Sequence, residues 1–239
     1  MSKIWIFDLD DTLHDASSKI FPRINQSMTT YVSQKLNISN DAAHEIRDQY
    51  WKVYGATLKG LMEIHGVDPK EFLLKTHDAY ELSKFVKQSH ALKNTLKKLR
   101  GKKIVFTNAP LHYAIAIIKS LNIEKYFSAI YSIESTKYNP KPSLIAFRKI
   151  LRHLGKKAYQ CTMVEDDLAN LKTAYKIGMK TILVSRQNKK TIFVNKRITK
   201  NYSAYSAKLD KLDQFSKSRF INSSFNIDAT FILANSAKI

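Results

Sequence analysis

The sequence predicts an α/β fold in which five parallel strands alternate with helices and a helical segment is inserted after the first strand. Three observations support this. Short apolar segments rich in β-formers recur along the chain, near residues 3–7, 103–106, 129–133, 161–164 and 181–184. The segments between the later strands have helical periodicity and the length of crossover connections, as in a Rossmann-like sheet. About ninety residues separate the first two strands, more than a simple crossover needs.

The first strand delivers two carboxylates to one edge of this predicted sheet. Residues 3–7 are too few for a buried helix, and Asp8 and Asp10 follow directly. Ligands of open parallel sheets bind at the carboxyl ends of the strands. Side chains at i and i+2 point the same way if the strand geometry continues, so the two aspartates could share a cation or act on one substrate. An acidic turn that caps a helix is the alternative.

The insertion is predicted at residues 15–86 and is helical. Apolar residues from Ile20 to Leu36 fall on one face at steps of three and four, and Asp68-Pro69 is typical of a helix start. A helix from His90 to Leu99 returns the chain to the sheet. Four residues of the insertion could stack on or bond to a nucleotide base, or could form a helix–helix core: Tyr50, Trp51, Tyr54 and Thr57.

Polar groups also follow the second and later strands. Thr107 and Asn108 lie just past the second strand, where a hydroxyl, an amide and helix-start N–H groups suit a phosphate oxygen. Lys141 lies between two prolines, which restrict the loop before a helix at about 143–154. Helix capping and a solvated loop charge are the ordinary interpretations of these residues.

The fourth strand ends in the acidic run Glu165-Asp166-Asp167, followed by Asn170 and an amphipathic helix. Carboxylate oxygens at this edge would complete a site for a hard cation. An acidic helix start that favours the helix dipole is the alternative for this run. The order of the four polar segments favours a shared site over four independent capping motifs.

This order and spacing resemble the haloacid dehalogenase-like (HAD) phosphohydrolase superfamily over roughly residues 1–185. Its motifs correspond to Asp8-Leu9-Asp10-Asp11-Thr12, Thr107, Lys141 and Glu165-Asp166. Within the superfamily, the chain looks most like the pyrimidine 5′-nucleotidase branch. The segments behind this narrower resemblance are residues 7–13, 54–61, 77–78, 105–108 and 164–171, of which 54–61 is the most discriminating.

The resemblance implies a five-stranded core with strand order 5-4-1-2-3 and a C1-type helical cap that closes over the site. It also implies that Asp8 attacks phosphorus to give an aspartyl phosphate, while Asp10 protonates the leaving alkoxide and then activates water. Mg²⁺ would be held by Asp8, the main-chain carbonyl of Asp10, and Asp166. Glu165 and Asn170 are expected behind these ligands, and Asp167 is left without a role.

The same resemblance assigns the phosphoryl group to Thr107 and Lys141, with Asn108 and the Asp11 backbone nearby. Dehalogenases of the superfamily lack the second aspartate, because halide needs no proton to leave. Asp10 therefore argues against a dehalogenase.

The formal charge of +20 raises a second hypothesis, that the chain binds nucleic acid. Residues 186–239 hold 11 Lys or Arg and 3 Asp or Glu and form a basic extension of uncertain structure. Its apolar patches at 191–194 and 229–233 could be short strands or helices on the core edge. The lysines are otherwise spread along the chain without a known nucleic-acid-binding signature, and diffuse surface lysine is the simpler explanation.

A single cysteine, Cys161, excludes an intrachain disulfide and is predicted to be a buried core thiol. No run approaches the about 20 apolar residues of a membrane span, and the chain enters its acidic motif at once, so a cytoplasmic protein without a membrane partner is expected. The histidines show no zinc-binding spacing.

Together these observations predict a catalytic core at residues 1–14 and 87–185, with a cap at 15–86. The predicted activity is Mg²⁺-dependent hydrolysis of a small phosphomonoester, with a pyrimidine nucleoside 5′-monophosphate as the first choice. A phosphatase for phosphoglycolate or a sugar phosphate is the alternative enzyme. Nucleic-acid binding through the basic surface and extension is the non-enzymatic alternative.

Overall fold

The computed structural model describes residues 3–184 and the backbone of Thr191–Val194, and it contains one six-stranded sheet in the order β3-β2-β1-β4-β5-β6. The first five strands are parallel, and β6 pairs antiparallel with β5. The strands are β1 (Ile4–Phe7), β2 (Lys102–Phe106), β3 (Ile130–Tyr131), β4 (Cys161–Glu165), β5 (Lys180–Val184) and β6 (Thr191–Val194). The predicted five-stranded parallel core and its strand order are confirmed.

The register of the central strands brings the polar segments to one edge. Phe7 pairs with Val105 on β2 and with Val164 on β4, so these strands end at nearly the same height. Asp8 therefore follows β1 beside Glu165, the last residue of β4. The entire β1 segment is buried, as expected for a central strand covered on both faces.

Helices cover both faces of the sheet, and β1 shows the alternation. Trp5 and Phe7 pack into a core with α6 (His90–Lys98) and α7 (Leu111–Leu121). Ile4 and Ile6 point to the opposite core, formed with α8 (Leu144–Leu154) and α9 (Leu168–Lys176). Alternate side chains of a strand face opposite sides, so one short strand anchors both layers.

The segment between β1 and β2 forms the predicted helical insertion. Its helices are α1 (Ile20–Leu36), α2 (Asn40–Tyr54), α3 (Thr57–His65), α4 (Pro69–Thr76) and α5 (Ala79–Ser83). Asp68 caps α4 by accepting a hydrogen bond from the N–H of Lys70, and proline occupies the first turn, as predicted. Helices α1 to α4 share a hydrophobic cluster that is separate from the two sheet cores.

The structure differs from the sequence expectations at the third strand. β3 contains only Ile130 and Tyr131, whereas 129–133 was predicted. The ladder ends because the Ser132 N–H donates to Ser135 Oγ and the Ile133 N–H donates to the Ala109 carbonyl. A 3₁₀ turn at Glu134–Thr136 follows.

Other expectations concern the carboxyl-terminal part of the chain. The patch at 191–194 forms strand β6, while the patch at 229–233 lies outside the described residues. Cys161 is the first residue of β4 and a buried free thiol, as predicted. In the part of the chain that the structure describes, no helix combines the length and apolar character needed to cross a bilayer.

Candidate active site

Asp8 and Lys141 form a buried ion pair at the carboxyl edge of the sheet. The Lys141 ammonium donates to Asp8 Oδ1 at 2.6 Å and to Glu165 Oε2 at 2.7 Å. Burial lowers the pKa of Lys141, but the attraction of the two carboxylates outweighs it and the net pKa is raised. Lys141 is thus a fixed cation that contacts Asp8, the residue directly after β1.

The loop that carries Lys141 is clamped to the end of β2 by Asn108. Asn108 Oδ1 accepts a hydrogen bond from the Lys141 N–H at 2.7 Å, and its Nδ2 donates to the Lys141 carbonyl at 3.0 Å. Asn108 was expected near the phosphoryl group. Its side-chain amide bonds to the lysine backbone and so helps to place the Lys141 side chain in the site, while its proximity to a phosphoryl group stays a prediction.

Three carboxylates meet beside this lysine. Asp8, Glu165 and Asp166 each offer an oxygen, and these oxygens lie within 4.8 Å of one another. Burial is the largest cause raising the pKa of Asp8 and of Glu165. Burial and the repulsion of Asp8 raise the pKa of Asp166 to about 7, although Thr12 Oγ1 donates to Asp166 Oδ1 at 2.9 Å. One lysine does not compensate three clustered carboxylates.

The Asp10 carboxylate has hydrogen-bond partners different from those of Asp8. Its Oδ1 accepts a hydrogen bond from the Tyr113 hydroxyl at 2.6 Å and lies 2.9 Å from His14 Nε2. Burial and the charge of Asp10 raise the pKa of Tyr113 well above its ordinary value. Tyr113 is therefore a phenol donor to this carboxylate across the neutral pH range.

Asp11 shapes the loop after the two aspartates. It has a φ of 61°, a left-handed conformation that is uncommon outside glycine. Its Oδ1 accepts from the N–H groups of Ala16 and Ser17, and its Oδ2 accepts from Ser17 Oγ. The side chain thus organises the loop, and the placement of the Asp11 backbone near a phosphate stays a prediction.

Thr107 and Asp167 complete the strand ends. Thr107 is buried, and its Oγ1 accepts a hydrogen bond from the Ala109 N–H at 2.9 Å. Asp167, left without a role by the sequence, caps α9 by accepting from the Asn170 N–H at 2.9 Å. The capping interpretation of the acidic run therefore holds for Asp167, while Glu165 and Asp166 belong to the carboxylate cluster.

The aromatic candidates of the insertion divide into core and surface. The Tyr50 hydroxyl lies 2.6 Å from His65 Nε2, and its ring covers Gly60, where an added Cβ would come within 2.4 Å. Thr57 is buried and donates to the Arg47 carbonyl. Tyr50 and Thr57 thus follow the helix–helix interpretation, whereas Trp51 is 66% exposed.

Thr12, His14 and Tyr113 contact the acidic residues of the site, and none of the three was assigned a role from the sequence. Thr12 was recognised only as the end of the first motif, and its bond to Asp166 ties that motif to the fourth strand. Tyr113 lies on α7 among Ala114, Ile117 and Ile118. In a sequence it is indistinguishable from a core residue of an amphipathic helix, because the contact with Asp10 spans 103 positions.

The chain resembles a known hydrolase family and a yeast protein. Residues 5–184 match the family model described as haloacid dehalogenase-like hydrolase. The chain is 26% identical over 192 residues to phosphate metabolism protein 8 of Saccharomyces cerevisiae, a match that covers 74% of this chain and 60% of that protein. The matched region thus spans less than two thirds of this relative's length.

Solved structures share the fold at low identity. A HAD phosphatase from Thermococcus onnurineus has a TM-score of 0.55 and 20% identity, covering 78% of this chain and 87% of its own. A 2-haloacid dehalogenase from Pseudomonas syringae has a TM-score of 0.52 and 20% identity, covering 87% of this chain and 100% of its own. The family model covers most of the described chain, and this protein belongs to the haloacid dehalogenase-like hydrolase family.

Proposed function

We propose that this hydrolase is a metal-dependent phosphomonoesterase that forms an aspartyl phosphate on Asp8. The observation that carries the proposal is the pairing of Asp8 with Lys141 beside two further carboxylates, with Asp10 two residues away and held by separate hydrogen bonds. The site thus offers one carboxylate to attack phosphorus and another to transfer a proton. Monoester hydrolysis needs both, together with neutralisation of the phosphoryl charge.

The donor set fits Mg²⁺. Asp8 and Asp166 supply carboxylate oxygens. Burial first, and then repulsion between the clustered carboxylates, raises the pKa of Asp166, and a bound cation would offset this repulsion. Asp8, Asp166 and the main-chain carbonyl of Asp10 would hold the ion, while Glu165 is engaged by Lys141. When bound, the ion supplies charge neutralisation at a phosphate oxygen.

The residues of the chain divide the reaction between them. Lys141 contacts Asp8 Oδ1, so we assign the attack on phosphorus to Oδ2, with Lys141 offsetting the charge of the approaching substrate. The Thr107 hydroxyl, whose oxygen already accepts from Ala109, would donate its proton to the phosphoryl group. Asp10 protonates the departing alkoxide and then takes a proton from the water that hydrolyses the phospho-Asp8.

Asp10 favours a phosphatase over a dehalogenase. Both activities occur among the solved structures with this fold, so the fold alone does not select between them. A halide leaves without a proton, whereas an alkoxide does not. The Asp10 carboxylate, held by Tyr113 and His14, can supply the proton that a departing alkoxide needs and a departing halide does not.

We further propose a pyrimidine nucleoside 5′-monophosphate as substrate, with residues 15–86 as the cap that selects it and residues 1–14 and 87–185 as the catalytic core. This rests on the resemblance of residues 54–61 to the nucleotidase branch. In the structure, Gly60 of this segment receives the Tyr50 ring, so part of the segment serves helix packing. Phosphoglycolate and sugar phosphates are the competing substrates.

The test is phosphate release from UMP, CMP, dTMP, AMP, phosphoglycolate and sugar phosphates, with Mg²⁺ or with EDTA. Wild type is compared with Asp8→Asn and with a matched control, Asp48→Asn. Asp48 is an exposed aspartate of α2. We expect Mg²⁺-dependent release from pyrimidine nucleotides that Asp8→Asn abolishes and Asp48→Asn leaves intact.

Other outcomes separate the parts of the proposal. Turnover of phosphoglycolate or a sugar phosphate alone would keep the chemistry and discard the nucleotide substrate. No Mg²⁺-dependent release from any ester would contradict the phosphatase. Salt-sensitive nucleic-acid binding that survives Asp8→Asn would then favour the basic surface as the functional feature.

A further inference from the structure

The Asp10 carboxylate is held by a residue from a distant helix. The Tyr113 hydroxyl donates to Asp10 Oδ1 at 2.6 Å, and His14 Nε2 lies 2.9 Å from the same oxygen. Hydrogen bonds to a charged acceptor are shorter and stronger than those between neutral groups. Since both contacts fall on Oδ1, the orientation of the carboxylate is set and Oδ2 is assigned to proton transfer.

Tyr113 is itself fixed by the insertion. Its ring is fully buried and meets the His77 ring edge to face, with centroids 5.8 Å apart and planes at 72°. The adjacent His112 has Nε2 2.9 Å from the His77 carbonyl, and a carbonyl can only accept, so His112 donates. His77 follows α4 at its carboxyl end. His112 and Tyr113, two consecutive residues of α7, thus both contact His77 of the insertion.

The orientation of the His77 ring is set by a hydrogen bond to Thr76. Thr76 Oγ1 donates to the Phe72 carbonyl at 2.7 Å and lies 2.9 Å from His77 Nδ1. The Thr76 proton is already used, so Nδ1 carries a proton and donates to Thr76 Oγ1. This bond fixes the ring that Tyr113 packs against.

We propose that Tyr113 is a positioning residue for proton transfer by Asp10, and that the contact of His112 and Tyr113 with His77 links the seating of the insertion to the orientation of that carboxylate. This rests on the proposed function of Asp10 as the proton donor. When the insertion is seated on α7, the Tyr113 hydroxyl is held where Asp10 needs it. When the contact is lost, Tyr113 gains freedom and the acid loses its alignment.

A Tyr113 that only fills space would behave differently. Loss of packing lowers stability and reduces all activities alike. In the step that phosphorylates Asp8, loss of a positioned acid matters only where the leaving group needs a proton. An alkyl phosphate requires protonation of its alkoxide, whereas p-nitrophenolate departs without it, so comparing the two esters separates the two roles.

The experiment measures kcat/KM for p-nitrophenyl phosphate and for the best alkyl monoester of the panel in Tyr113→Phe. This quantity reports the steps up to phosphorylation of Asp8 and excludes the later hydrolysis of the intermediate, in which Asp10 acts as a base with either ester. We expect a loss on the order of tenfold with the alkyl ester, from one charge-assisted hydrogen bond, and a much smaller loss with p-nitrophenyl phosphate. Asp10→Asn should show the same pattern more strongly. Tyr175→Phe, on α9 outside the site, is the matched control and should change neither rate.

His112→Ala tests the link to the insertion without touching the phenol. It removes the bond to the His77 carbonyl, so the ratio of the two rates should move in the direction of Tyr113→Phe by a smaller factor. Equal losses on both esters in Tyr113→Phe would overturn the positioning role. An unchanged ratio in His112→Ala would overturn the link.

A crystal structure of Tyr113→Phe provides a readout besides activity. We expect the Asp10 carboxylate to rotate or to occupy more than one orientation, and an unchanged orientation would contradict the proposal. If wild type hydrolyses neither ester, the proposed function fails, and this crystal structure alone decides whether Tyr113 positions Asp10.

Discussion

Replacement of Lys141 by methionine should destabilise the protein strongly, because it removes the cation between two buried carboxylates. Lys141 Nζ lies 2.6 Å from Asp8 and 2.7 Å from Glu165, and all three side chains are buried. Methionine retains most of the apolar stem, so the main change is loss of the charge. Removing one partner of a buried ion pair costs about 3–5 kcal/mol. We expect a loss in this range near neutral pH.

The pH dependence follows from the two carboxylates left behind. Without Lys141 their folded-state pKa values rise further above those in the unfolded chain. A carboxyl group whose pKa is higher in the folded than in the unfolded state contributes stability at low pH that is lost as the pH rises. The cost of Lys141→Met should therefore shrink as the pH is lowered from neutral toward about 5.

A double-mutant cycle with Glu165→Gln tests the assignment to charge. Once Glu165 is neutral, removing Lys141 deprives one contacting carboxylate of its cation instead of two. The double variant should therefore be more stable than the sum of the single losses predicts, by about 1–3 kcal/mol. The assay is urea unfolding followed by circular dichroism in EDTA. Lys59→Met, at an exposed lysine, is the matched control and should change stability by less than about 0.5 kcal/mol. A Lys141→Met loss below about 1 kcal/mol, or additive losses, would refute this reasoning.

Three further predictions concern the surroundings of the site. Burial lowers the pKa of His77 from 6.5 to about 4. As the pH falls between these values, wild type should therefore lose about 3 kcal/mol of unfolding free energy relative to His77→Gln. Parallel pH profiles of the two proteins would contradict this. Gly60→Ala should lower the unfolding free energy by about 1–3 kcal/mol, because the new Cβ meets the Tyr50 ring. This cost exceeds the gain from the better helix propensity of alanine. An unchanged or raised melting temperature would be inconsistent with that contact. Asn108→Ala frees both Lys141 backbone bonds and should cost about 1 kcal/mol in urea unfolding together with a lower kcat, and full activity would argue that the clamp is dispensable.

The sheet was predictable because its signals are local. The β1 segment is short, apolar and followed at once by two aspartates, so its place at the sheet centre and its functional edge followed from the residues themselves. The order of the five parallel strands came from the family resemblance. β3 was predicted too long, because the Ile133 N–H is captured by the Ala109 carbonyl, a contact that apolar composition does not reveal.

The sequence predicted that the acidic residues at the strand ends lie together, but it did not predict their hydrogen-bond partners. The roles proposed for Asp8 and Asp166 depend on motifs that lie at strand ends. The Tyr113–Asp10 and Thr12–Asp166 bonds instead join positions 103 and 154 residues apart. The two hydrogen bonds between the Asn108 amide and the Lys141 backbone were likewise not predicted. Such pairings depend on register and loop geometry, which single-sequence patterns do not encode.

The phosphorylation of Asp8 is the central claim, and mass spectrometry of a trapped enzyme tests it most directly. Asp10→Asn is mixed with Mg²⁺ and p-nitrophenyl phosphate, whose leaving group needs no proton, and the reaction is quenched in acid. Because the variant lacks the base that activates water, we expect the intermediate to accumulate and the peptide containing Asp8 to carry one phosphoryl group. Release of p-nitrophenolate with an unmodified Asp8 peptide at every quench time would contradict covalent catalysis by Asp8.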